Sequence, residues 1–126
     1  MTIHPEAEHL AAPVLIVSQE YQKRAARLGF DCPNLSRVLA ELTEELQDLQ
    51  RAKTSAEVRE EMGDVLSMVA RAARELQVDA EEALRLANRR FRQCFQKMEE
   101  ITRQEGGSFS SYSLEDWIAL WGRAKS

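Results

Sequence analysis

Two short stretches hold the residues best suited to chemistry. "EELQD", residues 44–48, and "EEMGD", residues 60–64, each set a glutamate and an aspartate three positions apart, Glu45 with Asp48 and Glu61 with Asp64. On a helix such residues lie one turn from each other, and two like charges there cost a few tenths of a kcal/mol even when exposed. The cost grows as burial lowers the local dielectric. Stepping about 100° per residue puts Glu61 and Asp64 on one flank of an apolar stripe, Glu61 the nearer. Glu45 and Asp48 flank the stripe of the preceding segment in the same way, with Glu44 farther round on the side of Asp48. If the two segments pack antiparallel through their stripes, the four carboxylates converge. By spacing alone two readings stand: a solvated acidic face, or an oxygen-only cation site of the kind that suits Mg2+ or Mn2+ sharing its coordination with phosphates. A di-iron carboxylate centre fails on ligand supply, because that design uses Glu-x-x-His motifs and the two histidines, His4 and His9, precede the helical segments.

The elements that must position these groups read as helices joined by short loops. The chain has 126 residues, 44% hydrophobic and 30% charged, with 5 Gly and 3 Pro, a composition that favours an all-α globular protein. That length allows one core, so residues 1–126 are read as a single domain, with 1–12 as a flexible N-terminal segment. The first helix runs from about Pro13 to Leu28 and stops at Gly29. "FDCPN" is a turn, in which Pro33 disfavours helix at Cys32 and Asn34 caps the second helix. That helix, about Leu35 to Lys53, carries a stripe of Leu35, Val38, Leu42, Leu46 and Leu49. Thr54 with Glu57 opens the third, about Ser55 to Gln77, whose stripe is Val58, Met62, Val65, Val69, Ala72 and Leu76. Asp79 with Glu82 starts a long fourth helix through about Glu105, with Leu84, Ala87, Phe91, Phe95 and Met98 facing inward and Gly106-Gly107 ending it. Ser113 with Asp116 caps a short last helix, "LEDWIALWGRAK". Four main amphipathic helices plus a short C-terminal one predict an antiparallel helical bundle.

Charge and cysteine usage narrow the partners. A net charge of -4, from 17 basic and 21 acidic residues, leaves no footprint for a nucleic-acid polymer. No apolar run reaches membrane-spanning length, and the acidic start "MTIHPEAEHLAAPVLIV" is wrong for a secretory signal, so the expected location is the cytoplasm. Cys32 and Cys94 belong to no CxxC or Cys/His cluster and are read as packing thiols. Trp117 is likewise assigned to packing.

Taken together, "EELQD" and "EEMGD" resemble the paired E-E-x-x-E and E-x-x-D motifs of MazG-type nucleoside triphosphate pyrophosphohydrolases, in the all-α NTP pyrophosphatase superfamily. "YQKRAARLGFDCPN" is similar to the opening helix and G-F-D-W turn of that family, "ALRLANRRFRQCFQKME" to its A-N-x-K-F-x-x-R-F segment, and "SLEDWIALWGRAK" to its closing L-W-x-x-A-K helix. The ordered matches extend from about Tyr21 to Lys125. The resemblance implies that Glu45, Asp48, Glu61 and Asp64 hold Mg2+ or Mn2+, with Glu44 as a further ligand or as the group that orients and deprotonates water. It implies cleavage of a nucleoside or deoxynucleoside triphosphate between the α and β phosphorus atoms, giving the monophosphate and pyrophosphate in nucleotide house-cleaning. It further implies substrate contacts from Lys23, Asn88, Arg90, Trp121 and Lys125, and assembly as a homodimer or a dimer-based tetramer.

Three positions depart from the family pattern. Asp48 replaces the usual Glu, Cys94 stands where Arg is general, and Cys32 replaces the Trp of the turn. The first shortens a ligand, the second removes a cation that could touch the triphosphate, and the third could open the base pocket. Two alternatives therefore accompany the hydrolase reading: a noncatalytic helical interaction module that keeps the fold, and a pyrophosphohydrolase for a phosphoribosyl nucleotide.

Overall fold

The computed structural model describes residues 13–125; the expected flexible segment 1–12, with His4 and His9, lies outside the described residues. The helices are α1 (Val14–Arg27), α2 (Leu35–Arg51), α3 (Ser55–Glu75), α4 (Ala80–Gln104) and α5 (Leu114–Lys125), with a 3-10 turn at Phe109–Ser111 before the last. The chain is all-α, with no strand among the described residues.

Local chemistry explains the boundaries. The Asn34 side chain accepts from the backbone N–H of Arg37 at 2.9 Å, satisfying one of the free donors at the start of α2. Thr54 Oγ1 accepts from Glu57 N–H at 3.1 Å, and the Glu57 carboxylate reaches back to Lys53 N–H at 3.0 Å. Asp79 caps α4 through Glu82 N–H, and Ser113 and Asp116 cap α5 reciprocally. Gly29 and Gly106 take positive φ after α1 and α4, as their sequence positions predict. The end of α3 has no glycine. Gln77 takes φ 59° there, and Val78 N–H returns to the Ala73 carbonyl at 2.8 Å, closing a Schellman-type cap around a non-glycine residue.

The chain divides into two compact units, one through Ala83 and one from Leu84, the boundary falling within α4. In the first unit α3 packs against both α1 and α2. The three-residue connection between α2 and α3 makes that pair antiparallel, as expected. Two buried glutamines set the antiparallel docking of α1. Gln22 Nε2 donates to Ser67 O at 3.0 Å, and Gln19 Nε2 donates to Ala70 O at 3.0 Å and Val78 O at 3.1 Å. Gln19 Oε1 accepts from Ala80 N–H at 3.2 Å, so one side chain ties α1, the end of α3 and the first residue of α4 together.

The interior of this unit is small: Val38, Val65, Ala70, Ala72 and Ala80 are buried. The stripe expected on α3 is only partly inward. Val65 and Ala72 are buried, whereas Val58, Met62, Val69 and Leu76 stay 42–57% exposed. The packed line runs instead through Glu61, Val65, Met68 and Ala72, turned roughly 80° about the helix from the Met62–Val69 line at 100° per residue. Glu61 is therefore on the packed face rather than on its flank.

The second unit is organised by aromatic rings. Met98, Leu120 and Ala124 are buried, with Cys94, Phe95, Ile101 and Trp117 packed against them. Phe109 stacks on Trp117 at 4.8 Å and on Phe95 at 5.4 Å, an offset geometry that adds to burial, and Trp117 is a packing residue as expected.

Candidate active site

The α2–α3 hairpin brings Glu45, Glu61 and Asp64 together, with one carboxylate oxygen from each lying within 4.8 Å of the others. Glu45 and Glu61 are half-buried and Asp64 is exposed. Among the described residues, no basic side chain forms an ion pair with any of the three. Desolvation raises the Glu45 carboxyl above its ordinary value, and the charges of Asp64 and Asp48 raise it further, against a lowering hydrogen bond with Glu61. Glu61 is raised by desolvation first and then by Asp48, Glu45 and Asp64. The awkward placement of Glu61 on the packed line thus has an electrostatic consequence: the hairpin gathers carboxylates whose mutual repulsion raises Glu45 and Glu61 and which no basic side chain among the described residues pairs.

That donor set fits a hard divalent cation. Such ions take carboxylate oxygens at about 2.0–2.6 Å, so ligands facing one another across an ion stand about 4–5 Å apart. The three groups, within 4.8 Å of one another, stand no farther apart than that. Asp48, one turn beyond Glu45, lies outside the tight cluster and pairs with Arg51 at 3.7 Å, although its charge acts on both glutamates. Glu44 is exposed and adds to the field on Glu45.

The expected substrate contacts fall in two places. In the second unit Arg90 and Lys125 line an open cavity of about 430 Å³ with Trp121, whose ring meets Phe91 at 5.6 Å. Asn88 is exposed on the same helix and is not part of that lining. Lys23 belongs to the first unit, pairs with Glu20 at 3.5 Å, and lines a separate cavity with Arg74 and Gln77. Along α3, Arg74 is ten residues from Asp64, or about 15 Å at 1.5 Å per residue, so Lys23 stands at the opposite end of the helix from the acids.

The cysteines differ from each other. Cys94 packs against the second-unit core and also lines its cavity. Cys32 is half-buried in a polar setting, its Sγ 3.5 Å from Glu41 Oε2 and 3.4 Å from Arg71 Nη1, beside the Asp31–Arg74 ion pair. The Arg74 guanidinium holds the Asp31 carboxyl below its ordinary value. Phe91, which the A-N-x-K-F-x-x-R-F motif names, and Gln93 and Lys97, which it does not, line the same cavity as Arg90. Their spacing of one, three and seven residues from Arg90 is the signal the sequence offers for them.

No family model matches the chain. Curated relatives do. The nucleoside triphosphate pyrophosphohydrolase/pyrophosphatase MazG of Thermotoga maritima is 36% identical over 113 residues, which is 90% of this chain and 44% of that protein. The nucleoside triphosphate pyrophosphohydrolase of Escherichia coli is 34% identical over 118 residues, 90% of this chain and 45% of its own length. The uncharacterized protein YabN of Bacillus subtilis is 38% identical over 68 residues, 54% of this chain and 14% of that protein. The chain thus spans a little under half the length of the first two relatives. Over nine tenths of its length, the chain is homologous to MazG-type nucleoside triphosphate pyrophosphohydrolases.

Proposed function

We propose that this chain is a MazG-like pyrophosphohydrolase that hydrolyses a nucleoside or deoxynucleoside triphosphate to the monophosphate and pyrophosphate. The observation that carries this reading is the convergence of Glu45, Glu61 and Asp64 in a homologue of proteins bearing that name. Glu45, Glu61 and Asp64, joined by Asp48 when its exposed pair with Arg51 opens, would hold Mg2+ or Mn2+. The ion, when bound, supplies neutralisation of phosphate charge and a lowered pKa for water. Glu44 orients the attacking water and takes its proton as the oxygen approaches phosphorus in line. The bridging oxygen between the α and β phosphorus atoms departs with the pyrophosphate. In the second unit Arg90, Lys125 and Asn88 are the phosphate-binding residues and Trp121 packs against the nucleotide, while Lys23, in its own cavity at the far end of α3 from the acids, is given no phosphate contact.

The 1–126 chain works as one MazG-like domain in this reading, as a homodimer or a dimer-based tetramer in the cytoplasm, clearing surplus or noncanonical nucleotides. Two features support assembly: the open line Val58, Met62, Leu66 and Val69 on α3, and Leu39 and Leu46 on α2, all more than 40% exposed. Two free cysteines suit a reducing compartment, and no described helix is long and apolar enough to cross a membrane.

The test is a panel of NTPs and dNTPs, with a phosphoribosyl nucleotide beside them, assayed for pyrophosphate and for orthophosphate, with Mg2+, with Mn2+ and with chelator. Metal-dependent release of pyrophosphate from at least one is expected. A folded chain that releases none would favour the noncatalytic module. Release only from a phosphoribosyl nucleotide would move the substrate class.

A further inference from the structure

From Ala83 to Met98, α4 carries Arg85, Arg89, Arg90, Arg92 and Lys97 and no acid, in a chain whose net charge is -4. Arg90 and Lys97 are seven residues apart. At 100° and 1.5 Å per residue they return to within about 20° of one another and stand about 10 Å apart along the axis. Cys94 lies between them on nearly the same face. Both cations and Lys125 of α5 line the cavity of about 430 Å³, whose remaining polar side chains are the Gln93 amide, the Cys94 thiol and the Trp121 indole, with no carboxylate among the described residues. Among the described residues, none of the three cations is in an ion pair. Three positive groups around one concavity repel each other, and low-dielectric walls such as the Phe91 and Trp121 rings focus that field. An anion relieves it.

We propose that Lys97 is a phosphate-binding residue of this chain, supplying from the next turn of α4 the cation that Cys94 does not provide. An oligophosphate offers three cations around one cavity more negative charge and more acceptor oxygens than a single phosphate does. Arg90, Lys97 and Lys125 therefore select oligophosphate over orthophosphate, with Lys97 meeting one end of the phosphate chain. The identification of the natural ligand as a nucleotide rests on the function proposed above; the anion site does not depend on hydrolysis.

The experiment titrates the full chain with inorganic tripolyphosphate and with orthophosphate in divalent-free buffer, which silences the carboxylate cluster. Tryptophan fluorescence and calorimetry monitor binding. Tripolyphosphate is expected to bind at least tenfold tighter than orthophosphate. Lys97→Ala, at an exposed position and folded by circular dichroism, is expected to weaken tripolyphosphate roughly tenfold, the loss of one charge-assisted contact. Lys97→Arg should retain affinity, and Cys94→Arg should restore it in the Lys97→Ala background. Equal titration of wild type and Lys97→Ala would overturn the proposal, as would absence of tripolyphosphate binding or a preference for orthophosphate. If no nucleotide is hydrolysed while this binding pattern holds, the hydrolase reading falls and the anion site stands.

Discussion

Replacing Gln19 with Leu tests the architecture that carries the acids. The side chain is 7% exposed and makes three hydrogen bonds, to Ala70 O, Val78 O and Ala80 N–H. Ala70 O lies inside α3, where a carbonyl keeps its intrahelical partner, so its loss is small. Val78 O, in the connection to α4, and Ala80 N–H, among the free donors of the first turn of α4, would be left without this partner. At about 2 kcal/mol for the buried Ala80 N–H and about 1 kcal/mol for the part-buried Val78 O, with roughly 1 kcal/mol recovered from side-chain entropy, the net cost is about 2 kcal/mol. An unfolding entropy of about 2.1 cal/mol/K per residue turns that into a fall in Tm of about 8 °C. Thermal unfolding monitored by circular dichroism measures the fall, and hydrogen exchange should show the Ala80 amide losing protection while amides in the middle of α2 keep theirs. A fall below about 3 °C with unchanged protection would refute the clamp.

The same geometry sets three further outcomes. Glu45 and Glu61 have folded-state values raised above the ordinary 4.5, so the folded chain binds more protons than the unfolded one in that window. Their contribution to metal-free stability is full below about pH 4.5 and is lost as pH rises through the raised values; melts across pH 4–8 should show a smaller decline in Glu61→Gln than in wild type. At pH 7, Mg2+ should raise the Tm of wild type, and Glu61→Gln should lose most of that gain without losing metal-free stability; an unchanged gain would sink the carboxylate site. Gln77→Gly should stabilise by up to about 1 kcal/mol in urea unfolding, because glycine accepts the left-handed conformation at the end of α3 without the Cβ penalty; a destabilised variant would contradict the cap.

Much of the secondary structure is legible because it depends on neighbours in sequence. Asn34, Thr54, Asp79 and Ser113 accept from N–H groups three residues away, and Gly29 and Gly106 terminate the helices they succeed. The end of α3 is less legible, since Gln77 occupies a conformation that its residue type does not advertise. The inward face of α3 is hidden for a different reason. Val58, Met62 and Val69 form one apolar line and Val65, Met68 and Ala72 an adjacent one, and hydrophobicity does not say which of two neighbouring lines meets a partner. Gln19 and Gln22 escape notice because a glutamine on a helix ordinarily faces water, and its burial depends on backbone groups 45–61 residues away.

The amino-acid sequence by itself determined the all-α class, the extents of the helices to within about two residues, and the acid pairs at i and i+3, because each rests on hydrogen bonds or side-chain spacing within one or two turns. Only the tertiary structure decided that Glu61 lies on the packed face and that Glu45 of α2 meets Glu61 and Asp64 of α3 within 4.8 Å. It likewise gathered Arg90, Lys97 and Lys125 around one cavity. Those outcomes depend on how one helix is rotated against another, and that rotation is set by contacts between residues far apart in the chain.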